Sequence, residues 1–595
     1  MLQRTRLGSL GTSEPMATLA KLIASLALVA QVHAQELRWN LPPHGAAMYE
    51  RTWQKEVQDE PKGSQDNVPG LDEIHAPCVL ADELDDKRQR TTEPVYQMRD
   101  LFPALALDLS VLKPGPAKIE LHHQLRNAVN RAEVSFGPVS ASGEQSIEIV
   151  LGPNPKEKVP LPDNPFDARI RGKISGTRTI DRANGRVSSF SFNLDLLYEF
   201  NKGDGRPLRK ATLKASESWT FRKTIAHEDA EFRSMVTAGI RKAVGAIRKE
   251  LERQLGEAPA TGGDLHFNTQ AGELALKLLA LVKGGEDPRD PLIAKAYADL
   301  RTRKIEGTYS LACAILAIEA LYTPPSEAQE LREGRLKTPI PRTLSEADKK
   351  VVAEWTKTLL GNIDDRVDEK GLRRWFYGPG SDFDNSNTQY ALLGLFAAQL
   401  CGIEVPAVIW TAAANHWLRV RIASGEAGSP KLTSHAELEK DPKGRTRASG
   451  TKVNAYGWSY KSDGDPTGSM TCAGITGLTL SSAALRALKK SPLKLQQEID
   501  ETLRGSLLWL QRNVSVRRNP GPAHAWSSWH FYYLYGLERA CELNQVALLG
   551  DTDWYFDGAM ELLLRQGDDG RWMSENDTCF GLLFLKKTAL PAVTR

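Results

Sequence analysis

The feature that most constrains this chain is a recurrence in its C-terminal half. Apolar helical runs open at Asn268-Thr269-Gln270, Gly307-Thr308-Tyr309, Asn387-Thr388-Gln389, Met470-Thr471-Cys472, Trp529-His530-Phe531 and Asp577-Thr578-Cys579. Each leads into apolar and small residues, as in Tyr390-Ala391-Leu392-Leu393-Gly394-Leu395. A helix with no polar stripe has to be buried on all sides. Thr stands at every opening except that of His530, where its hydroxyl is expected to act as an N-cap. Between these runs lie amphipathic helices, over Ala347–Leu360, Val408–Ile422, Lys494–Arg512 and Trp554–Arg565. A buried helix alternating with a half-exposed one predicts an inner and an outer ring. Six such pairs close into an (α/α)6 toroid of helical hairpins. The openings recur at about 40 to 80 residues, so long loops must interrupt some hairpins.

The N-terminal half has a different period. Candidate strands are Ala117–Arg126, Arg131–Pro138, Gln145–Leu151, Ala168–Asp181, Gly185–Asn201 and Lys210–Lys223. Phe190-Ser191-Phe192-Asn193-Leu194-Asp195-Leu196 alternates apolar and polar residues, the mark of a strand with one buried face. Asp181 to Gly185 supplies turn residues. An antiparallel sheet, curled or sandwiched, is expected over 116–225. Residues 35–115 are rich in proline and charge and read as irregular. Residues 226–263 read as a connecting helix and a linker, and 264–595 as the toroid. The fold class is therefore α+β, multidomain, which suits a chain of 595 residues at about 150 residues per domain.

Lys21, the apolar run Leu22–Ala30 and the small-residue pattern Val32-His33-Ala34 form a secretory signal, so 1–34 is expected to direct export to the periplasm or beyond. Met16 is a second candidate start. The run is too short for a stable transmembrane span, and no other segment is long and apolar enough. A formal net charge of +3 gives no electrostatic case for a nucleic-acid partner. Of the six cysteines, Cys78, Cys313, Cys401, Cys472, Cys541 and Cys579, all but the first lie in apolar helical stretches. They read as packing residues without a disulfide framework.

One segment carries a family resemblance. Gln566-Gly567-Asp568-Asp569-Gly570-Arg571-Trp572 matches the Q-x-x-x-G-x-W repeat, and Asp577-Thr578-Cys579-Phe580-Gly581-Leu582 then opens a helix. Weaker echoes are Gly371-Leu372-Arg373-Arg374-Trp375 before Asp384-Asn385, and Gly457-Trp458-Ser459-Tyr460 before Met470-Thr471. Over 264–595 the chain resembles the prenyltransferase and squalene-oxidase repeat superfamily, which includes squalene–hopene cyclases. The resemblance implies an α/α-toroid braced by Gln566, Gly570 and Trp572. The Gln is expected to satisfy backbone groups at a helix end while stacking on the Trp, and Gly570 to permit the turn. This is a structural device, silent on chemistry.

The residues that would carry chemistry in that family depart from its pattern. Squalene cyclases protonate an alkene with D-x-D-D; here Ser462-Asp463-Gly464-Asp465-Pro466 lacks the last acid. Prenyltransferase β-subunits hold zinc through Asp, Cys and His. Cys472, His530 and Asp577 supply those types at three helix openings, without the family's D-x-C pairing. Asp384, Asp465, Asp577 and His530 are the candidate acids and bases. Thr269, Thr308, Asn387, Thr388, Thr471, His530, Tyr533 and Thr578 are candidates to line the cavity mouth. Asp382, Asp384, Asn385 and Asn387 crowd one opening; Trp526, Trp529, His530, Tyr532 and Tyr533 crowd another. Such a mouth could bind a sugar, and paired carboxylates would suit a hydrolase or lyase; the alternative is that Asp and Asn cap helices while the aromatics fill the barrel. No G-x-S-x-G, H-E-x-x-H or P-loop occurs.

These residues point to an exported ligand- or partner-binding, or scaffold, protein lacking the cyclase acid motif. The ligand would be a small apolar molecule or a glycan, or the partner a protein; no cofactor is expected. The alternatives are a terpenoid cyclase- or prenyltransferase-type enzyme using a mouth Asp or a metal, and a carbohydrate-active lyase or hydrolase.

Overall fold

A computed structural model of the chain describes residues 45–60, 95–96, 115–122, 129–153, 166–184, 186–202, 207–256, 269–363, 374–378, 383–441, 450–461, 464–522 and 529–589. The signal segment 1–34, the linker 258–263, Asn268, Cys78, Gly371 to Arg373, Asp382, Asp463 and Trp526 lie outside the described residues. The chain divides into two compact units, with the division after the β-rich region falling between Phe221 and Arg222.

The N-terminal region forms one sheet. Its strands are β1 (Gly45–Glu60), β2 (Val95–Tyr96), β3 (Gly115–His122), β4 (Val129–Phe136), β5 (Glu144–Pro153), β6 (Phe166–Asp181), β7 (Arg186–Lys202) and β8 (Pro207–Ala226). They lie in the order β1-β8-β7-β6-β5-β4-β3-β2. From β3 to β8 each strand is antiparallel to the next, whereas the short β2 joins β3 in parallel. The expected irregular stretch 35–115 thus contains a 16-residue strand, β1. Gly45-Ala46-Ala47-Met48-Tyr49-Glu50 lacks the apolar alternation that marks a half-buried strand, which hid it from a pattern search.

The alternation itself sets one buried face. In β5, Gln145, Ile147, Ile149 and Leu151 are buried while Ser146, Glu148 and Val150 are exposed. In β7 the buried set steps from Val187 to Phe190, Phe192, Leu194 and Leu196. A register shift between Thr179 and Ile180 leaves Ser188 unpaired and resets the phase by one residue. Asp181 accepts from the Asn184 N–H at 3.1 Å and side chain at 2.7 Å, closing the β6–β7 turn.

The C-terminal region is helical: α1 (Ala230–Gly256), α2 (Thr269–Gly284), α3 (Pro291–Thr302), α4 (Thr308–Leu321), α5 (Glu327–Arg332), α6 (Glu346–Gly361), α7 (Asn385–Leu400), α8 (Ala407–Arg419), α9 (His435–Lys440), α10 (Gly468–Ala487), α11 (Leu493–Asn513), α12 (His530–Leu543), α13 (Trp554–Arg565) and α14 (Glu575–Lys586). The short pairs β9 (Ile422–Ala423) with β11 (Tyr456–Gly457), and β10 (Leu432–Ser434) with β12 (Val546–Leu549), tie loops together.

The apolar helices pack in cyclic succession: α2 on α4, α4 on α7, α7 on α10, α10 on α12, α12 on α14, and α14 back on α2. They are the ones whose openings recur in the sequence. The amphipathic helices pack against them, α3 on α2, α6 on α4 and α7, α8 and α11 on α10, and α13 on α14. Helix α1 packs on α14 and α2, so the first described helix of the unit lies against the last. Nearly every residue of α7, α10 and α12 is buried.

A tryptophan staples an amphipathic helix to an apolar one in three places. The indole N–H of Trp375 donates to Leu359 O in the last turn of α6 at 2.8 Å, that of Trp458 to Trp417 O of α8 at 3.0 Å, and that of Trp572 to Leu562 O of α13 at 2.8 Å. Each accepts a bond that the helix end cannot make internally. The backbone N–H of the same tryptophans donates to a Thr hydroxyl on the following inner helix: Thr388 at 3.2 Å, Thr471 at 3.4 Å and Thr578 at 3.2 Å.

This corrects the expected role of the threonines. The N-caps are Asp384, Thr467 and Ser574, which accept from Asn387, Met470 and Asp577 N–H groups. Thr388, Thr471 and Thr578 sit one turn further in and receive the staple. Gln566 also does something other than stack on Trp572: its amide donates to Gly570 O at 3.0 Å and to Gly239 O of α1 at 2.9 Å. Gly570 has φ +86°, and a Cβ there would lie 2.3 Å from Lys242 O of α1. The best-matched repeat residues therefore hold α1 against the C-terminal hairpin.

Candidate functional site

The openings of the apolar helices α4, α7 and α12 bring hydroxyls and aromatic rings together. Ser386, on the first turn of α7, is the hub. Its Oγ meets the Tyr309 hydroxyl from α4 and, at 2.6 Å, the Tyr532 hydroxyl from α12, which also donates to Gln389 Oε1 at 2.9 Å. Tyr309 packs on Tyr377 (centroids 5.7 Å apart) and on Tyr390 (4.5 Å), and Tyr390 stacks on Tyr532 at 6.1 Å. Tyr377 and Tyr460 meet hydroxyl to hydroxyl at 2.9 Å. At the other side Trp529 lies edge-on to Tyr532 at 6.5 Å.

The result is a continuous band, Tyr460–Tyr377–Tyr309–Ser386–Tyr532–Trp529. Its two ends reach solvent: Tyr377 and Tyr460 are each 41% exposed and Trp529 is 75% exposed. Trp529 also holds φ +60° and ψ 33°, a left-handed conformation that a bulky residue rarely adopts. Burial pushes the Tyr532 phenol up to about 12, so the hub hydroxyls are neutral donors and acceptors near pH 7.

Asp384 caps α7 beneath this band. It is buried, and its two oxygens accept from the Asn387 N–H and Asn387 side chain, both at 2.7 Å. Burial raises its carboxyl pKa against these bonds and a contact from Tyr460. Asn385 is clamped by Ser459 O at 2.8 Å and by His416 at 3.0 Å. Burial, with Arg374 behind it, pulls the His416 imidazole down to about 3, so that ring is neutral.

The remaining sequence candidates are dispersed. Thr269 begins α2. Thr308 bonds Phe376 O through its hydroxyl at 2.6 Å. Asp465 is exposed on a loop. Asp577 is the third residue of α14, hydrogen-bonded to its own cap Ser574 at 2.7 Å. His530 bonds Val516 O at 2.7 Å. Tyr533 packs against Gly468 in the wall between α10 and α12, where a Cβ would come 2.7 Å from its ring. Cys472 is buried on α10, and burial raises its thiol pKa. The structure does not bring Cys472, His530 and Asp577 together, and among the described residues no group of His, Cys, Asp and Glu could hold a metal ion. The described cysteines are free and buried.

Sequence reasoning passed over a charged set inside α12. Glu538, Arg539 and Glu542 are all buried. Arg332 pairs with Glu542 at 2.6 Å and His435 approaches it at 3.2 Å. Burial alone would raise Glu542, but Arg332, His435 and Lys587 outweigh it and hold the carboxyl at about 2. Glu538 accepts from the Ala589 N–H at 2.8 Å. Burial, with the Glu542 charge one turn away, pushes it up to about 8. The signal was there: three charges within five positions of a helix that is otherwise apolar.

The chain matches no known family model, no curated protein and no solved structure. Among the described residues no helix is long and apolar enough to cross a membrane.

Proposed function

We propose that the helical unit is an α/α-toroid of the type the Gln566–Trp572 repeat resembles, on an exported protein, and that it binds a glycan at the mouth of its inner ring. The observation that carries this reading is the aromatic band with exposed ends, Tyr377 and Tyr460 at one side and Trp529 at the other. Exposed rings stack on the apolar faces of sugars, and the hydroxyls between them hydrogen-bond sugar hydroxyls. A long apolar ligand fits this unit poorly. Below the band, Leu393, Leu480 and Leu543 close on one another with Leu316 and Phe396 around them, and the interior above them carries the guanidinium of Arg539.

The test is calorimetric titration of the full chain with neutral and acidic oligosaccharides, repeated with Trp529→Ala and Tyr460→Ala. Binding weakened at least tenfold in both variants is the expected result. Binding that neither variant alters, or no binding to any oligosaccharide, removes the glycan reading and leaves a protein partner for this face.

Asp384 favours a second reading, an enzyme with a buried acid at the mouth. Its raised carboxyl suits a proton donor, although Asn387 occupies its oxygens. Asp384→Asn retains the cap, because Asn is also a good capping residue. Product formation from a bound oligosaccharide that Asp384→Asn abolishes would establish catalysis.

A further inference from the structure

The strongest unexplained feature is a cation inside the ring. Arg539 lies on α12 and is 3% exposed. It faces inward: its charge acts on Cys313 of α4, Tyr390 of α7 and Cys472 of α10. Only the interior of the cycle is open to those helices together with α12. Among the described residues none of its guanidinium nitrogens makes a hydrogen bond of good geometry, although the Tyr535 hydroxyl, whose pKa burial raises, lies close enough for the guanidinium to lower it. Its contacts are with ring faces, Tyr535 at 3.9 Å and Tyr390 at 5.4 Å.

An arginine cannot escape this situation by losing its proton. Ring faces offset part of the missing solvation, but they carry no net charge. Among the described residues the acid whose charge acts on Arg539 is Glu538. Consecutive helix residues point about 100° apart, so its carboxyl leaves α12 in another direction. It is bonded to the Ala589 N–H, and burial keeps it protonated up to about pH 8. Other donors share the interior without partners, the Tyr390 hydroxyl and the Gln389 amide nitrogen. A buried charge with unpaired donors beside it calls for a bound counter-ion.

We propose that the ring interior holds a small monoanion, a halide or a short carboxylate, on the guanidinium of Arg539. A compact ion of single charge matches one buried cation. A planar carboxylate would take two parallel guanidinium N–H groups, whereas a halide would take the same donors without directional demand. This site is independent of the glycan reading, because it lies below the hydroxyl hub and needs none of the exposed rings.

The experiment is equilibrium dialysis of the full chain against labelled chloride, and in a second arm against labelled acetate, at fixed ionic strength. One ion per chain in either arm is expected, and the arm that gives it names the source. Unlabelled bromide should displace chloride if the site takes halides. Arg539→Met keeps similar bulk without the charge and should weaken retention at least tenfold. Arg539→Lys keeps the charge and should retain part of it. Should the Met variant not fold, bromide diffraction from wild-type crystals gives the same answer: an anomalous peak in contact with the guanidinium supports the site. No retention of either anion by the wild-type chain overturns the proposal, as does retention that Arg539→Met leaves unchanged.

Discussion

The tryptophan staple can be broken by a single isosteric change. Thr578→Val on α14 keeps shape and volume but removes the oxygen that accepts the Trp572 N–H at 3.2 Å. Thr578 is 2% exposed and Trp572 is 7% exposed, so water cannot replace the lost acceptor. The hydroxyl also donates to Ser574 O at 2.8 Å, but that carbonyl keeps the Thr578 N–H at 2.9 Å. The cost is therefore one orphaned N–H, about 1–3 kcal/mol. The new methyl returns up to about 0.8 kcal/mol, which in full leaves a net destabilisation of about 0.2–2.2 kcal/mol. Thr356→Val on α6 is the control. That side chain is equally buried, but its hydroxyl only donates back to Val352 O at 2.7 Å. Its change should stay within about 0.5 kcal/mol. Urea unfolding read at 222 nm follows the helical unit, with the shift in midpoint converted by a shared slope. A Thr578→Val loss no larger than that of Thr356→Val would refute the staple. The same substitution at Thr388 should cost as much, and at Thr471, whose bond is 3.4 Å long, less.

Further outcomes follow from the same geometry. Gly570→Ala should destabilise by about 2–4 kcal/mol, because it combines φ +86° with a Cβ 2.3 Å from Lys242 O; a wild-type unfolding midpoint would dismiss the close approach of α1. Asp384→Ala should cost about 1–2 kcal/mol of stability and Asp384→Asn clearly less, since only the alanine loses the cap; thermal melts of the two variants decide it. Glu538 has a folded-state pKa of about 8, above its unfolded value, so the native state binds the extra proton. Stability from this group is full below about pH 4.5 and falls as pH rises towards 8. Glu538→Gln should flatten that fall, and unchanged alkaline sensitivity in urea titrations at pH 6 and 9 would contradict it. Glu542 runs the opposite way. Its carboxyl is held at about 2, so its contribution is present above about pH 4.5 and is lost on acidification.

The helical half was legible because burial leaves a mark on composition. A helix enclosed on all sides cannot carry a polar stripe, and the six apolar openings reported the cycle of α2, α4, α7, α10, α12 and α14. Helix boundaries for the outer helices followed from amphipathic stripes, and Trp554–Arg565 was placed to the residue. Other features were hidden for physical reasons. α1 has an apolar stripe like any outer helix, and nothing local says that it returns to α14 across more than 300 positions (the Gln566–Gly239 bond spans 327). The threonines were misread as caps because a hydroxyl near a helix start serves either purpose. Which one it serves depends on a tryptophan on a preceding loop. The candidate site was half visible. Aromatic crowding near Trp529 and Tyr532 could be read from the chain, but the hub at Ser386 could not, since it joins three helices far apart in sequence.

The braces and the candidate sites fall on different residues, and this bears on what a toroid signature can say. The staples repeat: the same indole and N–H bonds recur at Trp375, Trp458 and Trp572, with Thr at the same helical position each time. A feature that recurs at three places serves a need all three share, which is holding an amphipathic helix to an apolar one. The inward-facing residues do not repeat. α4 contributes Tyr309, α7 contributes Ser386, Gln389 and Tyr390, and α12 contributes Tyr532, Tyr535 and Arg539. α10 contributes Cys472, whose thiol feels the charge of Arg539. Asymmetry inside a repetitive frame cannot come from the frame. What the protein binds is therefore to be sought where α4, α7 and α12 meet at Ser386.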